Sequence, residues 1–344
     1  MIVVIGATSF IGMYTVEELI AHNYEVVATG RNLKLQSSLE DRGASFIQLD
    51  VTKPEDFEKL PSAGVEGVIL LAGLLPANAT ADLSNEENAA EYFEVNTIGT
   101  VNVLEYCRKN GIKRIISTTT YGDVSMAWRA GYAIPENEPR NFKFTGDHAV
   151  YTISKNAAND VIEYYSQQHG LRGAVFRFPP VYGVGPHGTI LVDGKPYKSG
   201  IQTFIEKAQN GEDIEIWGDP HISRDIIYVK DVARAFRLAL ESDDTHGLYN
   251  MTNGVPLDLE DQVKAVIKVF GSGKGSKIVY RPDLKNNTPS YLFDMSKAKK
   301  DFGFVPEYTD YEQMMLDYKS ELESGRRSDL ENNSSAKWSV DNEA

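Results

Sequence analysis

The chain has 344 residues, 42% of them apolar, and carries a formal net charge of −14 with one cysteine and six histidines. That size and apolar share predict one large domain or two intimately joined ones, and the acidic balance opposes non-specific binding to nucleic acid or an anionic membrane. A single thiol, Cys107, excludes a disulfide framework, and scattered histidines with no H-x-x-x-H pair give no support to a metal site. The expected partner is a small molecule.

The first strand is expected at Ile2–Ile5, directly after Met1, which leaves no room for a signal or transit segment and predicts a cytoplasmic protein. The loop G-A-T-S-F-I-G follows, then an apolar-periodic helix through Val16, Leu19 and Ile20, then a strand E-V-V-A-T-G-R ending at Arg31. In this βαβ unit Gly6 permits the tight turn and Gly12 a close approach of helix to sheet, so the helix N-terminus between them presents free N–H groups to a pyrophosphate. Cofactor choice turns on the end of the second strand, where an acid binds the ribose hydroxyls of NAD and an arginine accepts the 2′-phosphate of NADP. With Gly30 and Arg31 in that place, NADP has a modest edge over NAD; the alternative for Arg31 is a solvated loop residue.

Further strands are expected at Ser45–Leu49, Gly67–Leu71, Arg114–Ser117 and Gly173–Phe178, with helices over Glu87–Asn110 and Val150–His169 among them. Such alternation predicts an α/β fold, a doubly wound parallel sheet whose ligand lies beyond the carboxyl ends of the strands. Asp50, closing the third strand, is placed to accept from an adenine amino group or to cap the segment that begins near Pro54. On the second long helix Tyr151 and Lys155, in Y-T-I-S-K, stand four apart and share a face. An ammonium beneath the phenol favours its ionised form and draws down a reference pKa of about 10, which makes the tyrosine an acid or base near neutral pH. A surface helix with a solvated lysine is the alternative.

The ordered set of motifs resembles the extended short-chain dehydrogenases/reductases, the group of sugar-nucleotide epimerases, dehydratases and reductases. The likeness covers about residues 1 to 316 and rests on G-A-T-S-F-I-G, L-A-G after the fourth strand, N-T-I-G-T at Asn96, S-T-T-T-Y-G at 117 to 122, Y-T-I-S-K, R-F-P-P-V-Y-G from Arg177, R-D-I-I-Y-V-K-D-V-A from Arg224 and D-M-S-K-A-K-K-D-F-G-F from Asp294. It implies a Rossmann domain over 1–178 and 223–250 and a smaller C-terminal substrate-binding α/β portion over 179–222 and 251–322. Residues 323–344, polar and without periodicity, read as a mobile tail with Trp338 as its anchor.

The resemblance makes Tyr151 the catalytic acid/base, Lys155 its electrostatic partner and a ligand of the nicotinamide ribose, and Ser117 the hydroxyl sharing the substrate proton. Thr118 and Thr119 are rivals of Ser117 for that role. Cofactor contacts are implied from Gly6, Thr8, Ser9, Phe10, Ile11 and Gly12, from Arg31, Asp50 and Val51, from Leu71, Ala72, Gly73 and Asn96, and from Tyr151, Lys155, Pro179 and Val181. Substrate contacts fall to Thr119, Pro180, Arg224 and Arg281; guanidinium suits a diphosphate, and a salt bridge is the alternative for Arg281.

The implied activity is epimerisation of a nucleotide-linked sugar by hydride transfer through a keto-sugar intermediate. A reductase of a keto sugar or other carbonyl using NADPH is the alternative, and a non-catalytic dinucleotide-binding protein the third reading. A dehydratase is disfavoured because Thr118, Thr119 and Thr120 fill the place of the acids that would remove a sugar proton. Three residues depart from the family pattern: Ser9 replaces a loop glycine, Gly30 replaces the expected acid, and Pro180 replaces an asparagine that contacts substrate. A homodimer is implied through the 87–110 and 150–169 helices, with Val101, Val103, Leu104, Val161 and Ile162 among their apolar positions. Asp231 is expected to cap the helix after it, and Lys195, Tyr197 and Lys198 lie in an extra loop that is a candidate lid.

Overall fold

The computed structural model describes residues 1–76, 89–146, 148–186, 189–192, 195–273, 275–286 and 289–330. Seven strands form its central sheet: β1 Ile2–Ile5, β2 Val26–Gly30, β3 Ser45–Gln48, β4 Gly67–Leu70, β5 Arg114–Thr120, β6 Arg172–Phe178 and β7 Gly247–Asn250. Their order is β7-β6-β5-β4-β1-β2-β3, every pairing parallel. This is the expected doubly wound sheet. Strand order reverses between β1 and β4, so a crevice opens at their carboxyl ends.

The helices are α1 Phe10–Ala21, α2 Gln36–Glu40, α3 Ala89–Tyr92, α4 Gly99–Lys109, α5 Ala149–His169, α6 Gly200–Asn210, α7 Val229–Glu241, α8 Leu259–Phe270, α9 Ser296–Phe302 and α10 Tyr311–Ser324. β1 and β4 are apolar and buried along their whole length, as a parallel sheet covered on both faces requires. Val4, Ile69, Ile116 and Phe176 share one core with Met13 and Val16 of α1 and Val232 and Phe236 of α7. Val3, Val68, Ile115 and Val175 share the other with Val103 and Leu104 of α4 and Ile162 and Tyr165 of α5. Val103, Leu104 and Ile162 therefore pack inside the chain, while Phe93 and Ile98, just before α4, and Tyr164 of α5 are exposed.

β5 runs three residues beyond its expected end, because the β-branched Thr118–Thr120 continue the ladder to Thr120 opposite Phe178. The helix expected over 87–110 is interrupted: a π-helical segment, Phe93–Ile98, joins α3 to α4, and residues 87 and 88 lie outside the described residues. The four-residue β7, G-L-Y-N, carries too weak a pattern to be foreseen. The extra loop forms an antiparallel hairpin, Thr189–Val192 with Lys195–Lys198. The lid expected at Lys195 and Tyr197 lies outside the described side chains, and Lys198 pairs with Glu206.

Helices α6, α8 and α10 pack around the parallel pair Ile214–Trp217 and Ile278–Arg281, with Ile205, Ile216, Val263, Val266, Met314 and Met315 as a separate core. Asp231 does not cap α7. It is fully buried within the first turn and accepts from Glu307 N and Tyr308 N, both at 2.9 Å, so it pins the segment leading to α10. Nor does a mobile tail begin at residue 323: α10 continues to Ser324, and Arg327 and Leu330 are each only 2% exposed. Residues 331–344, with Trp338, lie outside the described residues. No described helix is long and apolar enough to cross a membrane.

Candidate active site

Gly6 leaves β1 at φ 92°, a left-handed value that favours glycine, and a Cβ there would lie 2.4 Å from Ala72 N. A Cβ on Gly12 would lie 2.4 Å from Gly6 O. Between them Ser9 caps α1, its Oγ accepting from Gly12 N at 3.1 Å. Turned back on the helix in this way, serine fits where the family pattern has glycine, and its hydroxyl proton stays available as a donor. Ile11 packs on the sheet core, and Phe10 lies against the segment after β6, where a Cβ on Gly185 would meet its ring at 2.4 Å. This is a cradle of backbone N–H groups that admits no larger residues, and it fits a dinucleotide pyrophosphate.

At the end of β2 the side chain of Thr8 fills the space over Gly30, where a Cβ would come within 2.4 Å of Thr8 Oγ1. No acid fits at position 30 beside Thr8. Arg31 follows, exposed, its carbonyl accepting from Gln48 Nε2 at 3.3 Å. Asp50 Oδ1 accepts from Thr52 N at 3.0 Å and Thr52 Oγ1 at 2.8 Å; the turn Pro54–Lys59 has Lys53 before it and no side-chain cap, so the capping role does not form. Val51 packs against Gly99, and its carbonyl accepts from Asn102 Nδ2 at 2.8 Å.

Leu71 N and Ala72 N both donate to Ile5 O, at 2.7 and 2.9 Å, which draws the segment after β4 across the Gly6 turn. A Cβ on Gly73 would stand 3.3 Å from Asn96 Oδ1 and 4.0 Å from Lys155 Nζ. Asn96, in the π-helical segment, accepts from Leu74 N at 2.7 Å and donates to Leu74 O at 3.1 Å and Ser154 Oγ at 3.0 Å. Both its side-chain N–H donors are used in positioning the Gly73 loop and α5. Ser154 Oγ in turn donates to Tyr151 O at 2.8 Å. An irregular helix at such a position is typical of functional sites.

Side-chain alternation along β5 separates the three candidate hydroxyls. Ser117 stands opposite Val175, whose side chain belongs to the α4/α5 core; Thr118 stands opposite Phe176, which belongs to the α1/α7 core. Ser117 therefore faces α5, and Thr118 points through the sheet to the other side. Thr119 faces α5 too, but its Oγ1 accepts from Asn159 Nδ2 at 2.8 Å, and Thr120 Oγ1 caps the following turn at Gly122 N, 3.0 Å. Ser117, 2% exposed, is the hydroxyl of the set that is turned to α5 without such an engagement.

Lys155 is 6% exposed, and burial without a counter-charge pushes its ammonium down to about 8. Burial pushes the Tyr151 phenol well above its ordinary 10, and the neighbouring Tyr121 and Tyr92 phenols add to the rise. The phenol is thus not drawn down by Lys155 in this structure; desolvation outweighs any pull from the ammonium.

Toward the C-terminal portion, Pro179 is buried and Pro180 O accepts from Ile227 N at 3.2 Å, which starts the pairing of Val181–Tyr182 with Ile227–Tyr228. Arg224 is half-buried, and its positive charge favours the ionised forms of Tyr121, Tyr182, Tyr291 and Tyr311 against their burial. Arg281 instead pairs with Glu215 at 3.1 Å and Asp283 at 2.9 Å, the salt bridge weighed from sequence. Sequence reasoning missed the aromatic wall that includes Tyr121, whose phenol acts on that of Tyr151: Tyr121 stacks on Trp128 at 5.0 Å and 15°, and Tyr291 packs on both. The Y-G after the threonine run was the only signal for it.

A backbone N–H cradle at the strand-order reversal, on a parallel sheet covered by helices on both faces, is that of the NAD-binding Rossmann class of protein. The chain belongs to the NAD dependent epimerase/dehydratase family, whose model matches residues 2–252. A putative UDP-glucose 4-epimerase of Methanocaldococcus jannaschii is 30% identical over 308 residues, 89% of this chain and 93% of the relative. A dTDP-4-dehydro-6-deoxy-D-allose reductase of Streptomyces is 26% identical over 89% of this chain and 91% of its own length. The crystal structure of the Thermus thermophilus UDP-glucose 4-epimerase in complex with NAD superposes with a TM-score of 0.70 at 25% identity, covering 92% of this chain and 98% of that one.

Proposed function

We propose that this chain is an NAD(P)-dependent epimerase of a nucleotide-linked sugar, with UDP-hexoses the first substrate class to test. The observation that carries the reading is the buried, uncompensated Lys155 one turn beyond Tyr151 on the helix that Ser117 faces, beside the Gly6–Gly12 cradle. A bound nicotinamide supplies the hydride acceptor and donor. In its ionised form, which the Lys155 ammonium favours against the cost of burial, Tyr151 Oη takes the sugar hydroxyl proton and later returns it, while Ser117 Oγ holds the same sugar oxygen. Arg224 is the cation offered to a diphosphate. The exposed Phe93 and Ile98 of the π-helical segment and Tyr164 of α5 support a homodimer through the 89–109 and α5 helices, which sedimentation tests directly.

One feature favours a second reading, an NADPH-dependent keto-sugar reductase: Thr8 excludes an acid at Gly30 and leaves Arg31 to meet a 2′-phosphate. Denaturing the purified protein and weighing any released dinucleotide separates the two, together with NMR of UDP-glucose incubated with the protein. Stoichiometric NAD and formation of the C4 epimer without net cofactor consumption support the epimerase. Protein free of dinucleotide that prefers NADPH and consumes it with a keto sugar overturns the epimerase in favour of the reductase.

A further inference from the structure

Arg327 lies in a stretch that reads as polar tail, yet its side chain is 2% exposed. Burying a guanidinium is costly unless its charge and donors are met; here the charge and both terminal nitrogens are met from two parts of the molecule, and Nε alone is left without a hydrogen bond. Nη1 and Nη2 donate to the two carboxylate oxygens of Glu17 in α1, both at 2.7 Å; Nη2 lies 3.5 Å from Glu321 in α10; Cζ sits 3.8 Å over the ring of Tyr14. Tyr14 Oη donates to Glu321 at 2.5 Å and stands 3.2 Å from Val184 O. The following residues hold on as well: Leu330 is 2% exposed in the α1/α7 core, and Asp329 accepts from Ser38 of α2.

Tyr14 is one turn from Phe10, their rings 5.7 Å apart, and Phe10 is the residue after the Ser9 cap. Phe10 packs where Cβ atoms on Gly183 or Gly185 would meet its ring at 2.8 and 2.4 Å. One continuous set of contacts therefore leads from residues 321–330 to the turn that presents the N–H groups of α1 and to the segment just after Pro179–Val181. We infer that residues 321–330 form a latch, centred on Arg327, that fixes this turn and the 183–185 segment in the conformation a dinucleotide needs. Arg327, Tyr14 and Glu321 are positioning residues. Their effect is preorganisation: without the latch, dinucleotide binding must itself order these segments and loses affinity accordingly. The inference rests on the dinucleotide reading above.

The test measures NADH and NADPH affinity by fluorescence, alongside Tm, for Arg327→Met, Tyr14→Phe, deletion of 326–344, deletion of 331–344, and Val263→Ala as a control that loosens the separate core of the substrate portion. Arg327→Met and the longer deletion are expected to weaken dinucleotide binding roughly tenfold, Tyr14→Phe to weaken it in the same direction by less, and the shorter deletion to change nothing. Tyr14→Phe removes only a hydroxyl and remains informative if the others fail to fold. A Val263→Ala variant that loses as much affinity for the same drop in Tm overturns the latch, since the effect is then general destabilisation. So does a folded Arg327→Met or Tyr14→Phe protein with wild-type affinity. A wild-type protein that binds neither dinucleotide overturns the dinucleotide reading itself and the latch with it.

Discussion

Replacing Lys155 by methionine should make the protein more stable and less active. The side chain is 6% exposed, and burial takes its ammonium from an ordinary 10.5 down to about 8. At about 1.4 kcal/mol for each pH unit, the native state carries a penalty on the order of 3 kcal/mol for holding this charge. The sign follows from proton binding. Below about pH 8 the lysine is protonated folded and unfolded, so the whole penalty is present. As pH rises toward 10.5 the folded form loses its proton first, the unfolded chain binds more protons, and the wild type gains stability. Methionine has a similar length and no charge, so the variant should be more stable near pH 7 by on the order of 3 kcal/mol, the gap shrinking to about 1 kcal/mol near pH 10. Urea unfolding of both proteins across that range measures the gap directly. A variant no more stable than wild type near neutral pH, or a gap that does not change with pH, refutes the reasoning.

Four other outcomes follow from the geometry. Tyr151→Phe and Ser117→Ala should each lower kcat by about 10²–10⁴ with little change in Tm, whereas Thr118→Ala, on the far side of the sheet, should retain most activity in the same assay. Thr119→Val leaves the Asn159 amide without its acceptor and should cost about 1–2 kcal/mol in urea unfolding. Gly12→Ala places a methyl against Gly6 O and should abolish dinucleotide binding measured by fluorescence. Arg31→Ala should leave NADH affinity unchanged and lower that for NADPH by roughly tenfold if the guanidinium meets a 2′-phosphate, a charge-assisted bond of about 1.5–3 kcal/mol.

The sheet was legible because its central strands are buried on both faces and read as unbroken apolar runs, and because glycines are required where Gly6 and Gly12 stand. β7 was not, since its four residues owe their conformation to the neighbouring β6 rather than to their own propensity. The π-helical turn at Phe93–Ile98 was equally hidden: its cause is the set of bonds from Asn96 to Leu74 and Ser154, contacts that span 22 and 58 residues. Spacing raised Tyr151 and Lys155 as candidates that the wider set of motifs then favoured, and it left Ser117, Thr118 and Thr119 as rivals. Only the register of β5 against β6 separates them, by showing which side of the sheet each faces.

Three buried cations show how differently this chain treats charge. Arg327 is met by Glu17, Glu321 and the face of Tyr14, within a network in which Glu17 also pairs with Arg42 and Glu321 with Lys230. Likewise Arg177 and Asp123, each 1% exposed, hold one another at 2.9 Å across the ends of β5 and β6. Among the described residues Lys155 has no such partner, and burial is what governs its proton. A paired buried charge can be explained by the architecture it joins; an unpaired one costs stability and returns nothing to the fold. The ammonium's position beside Gly73, one turn beyond Tyr151, is therefore better accounted for by chemistry than by folding, and this is why the stability gain of Lys155→Met and its loss of activity belong to the same prediction.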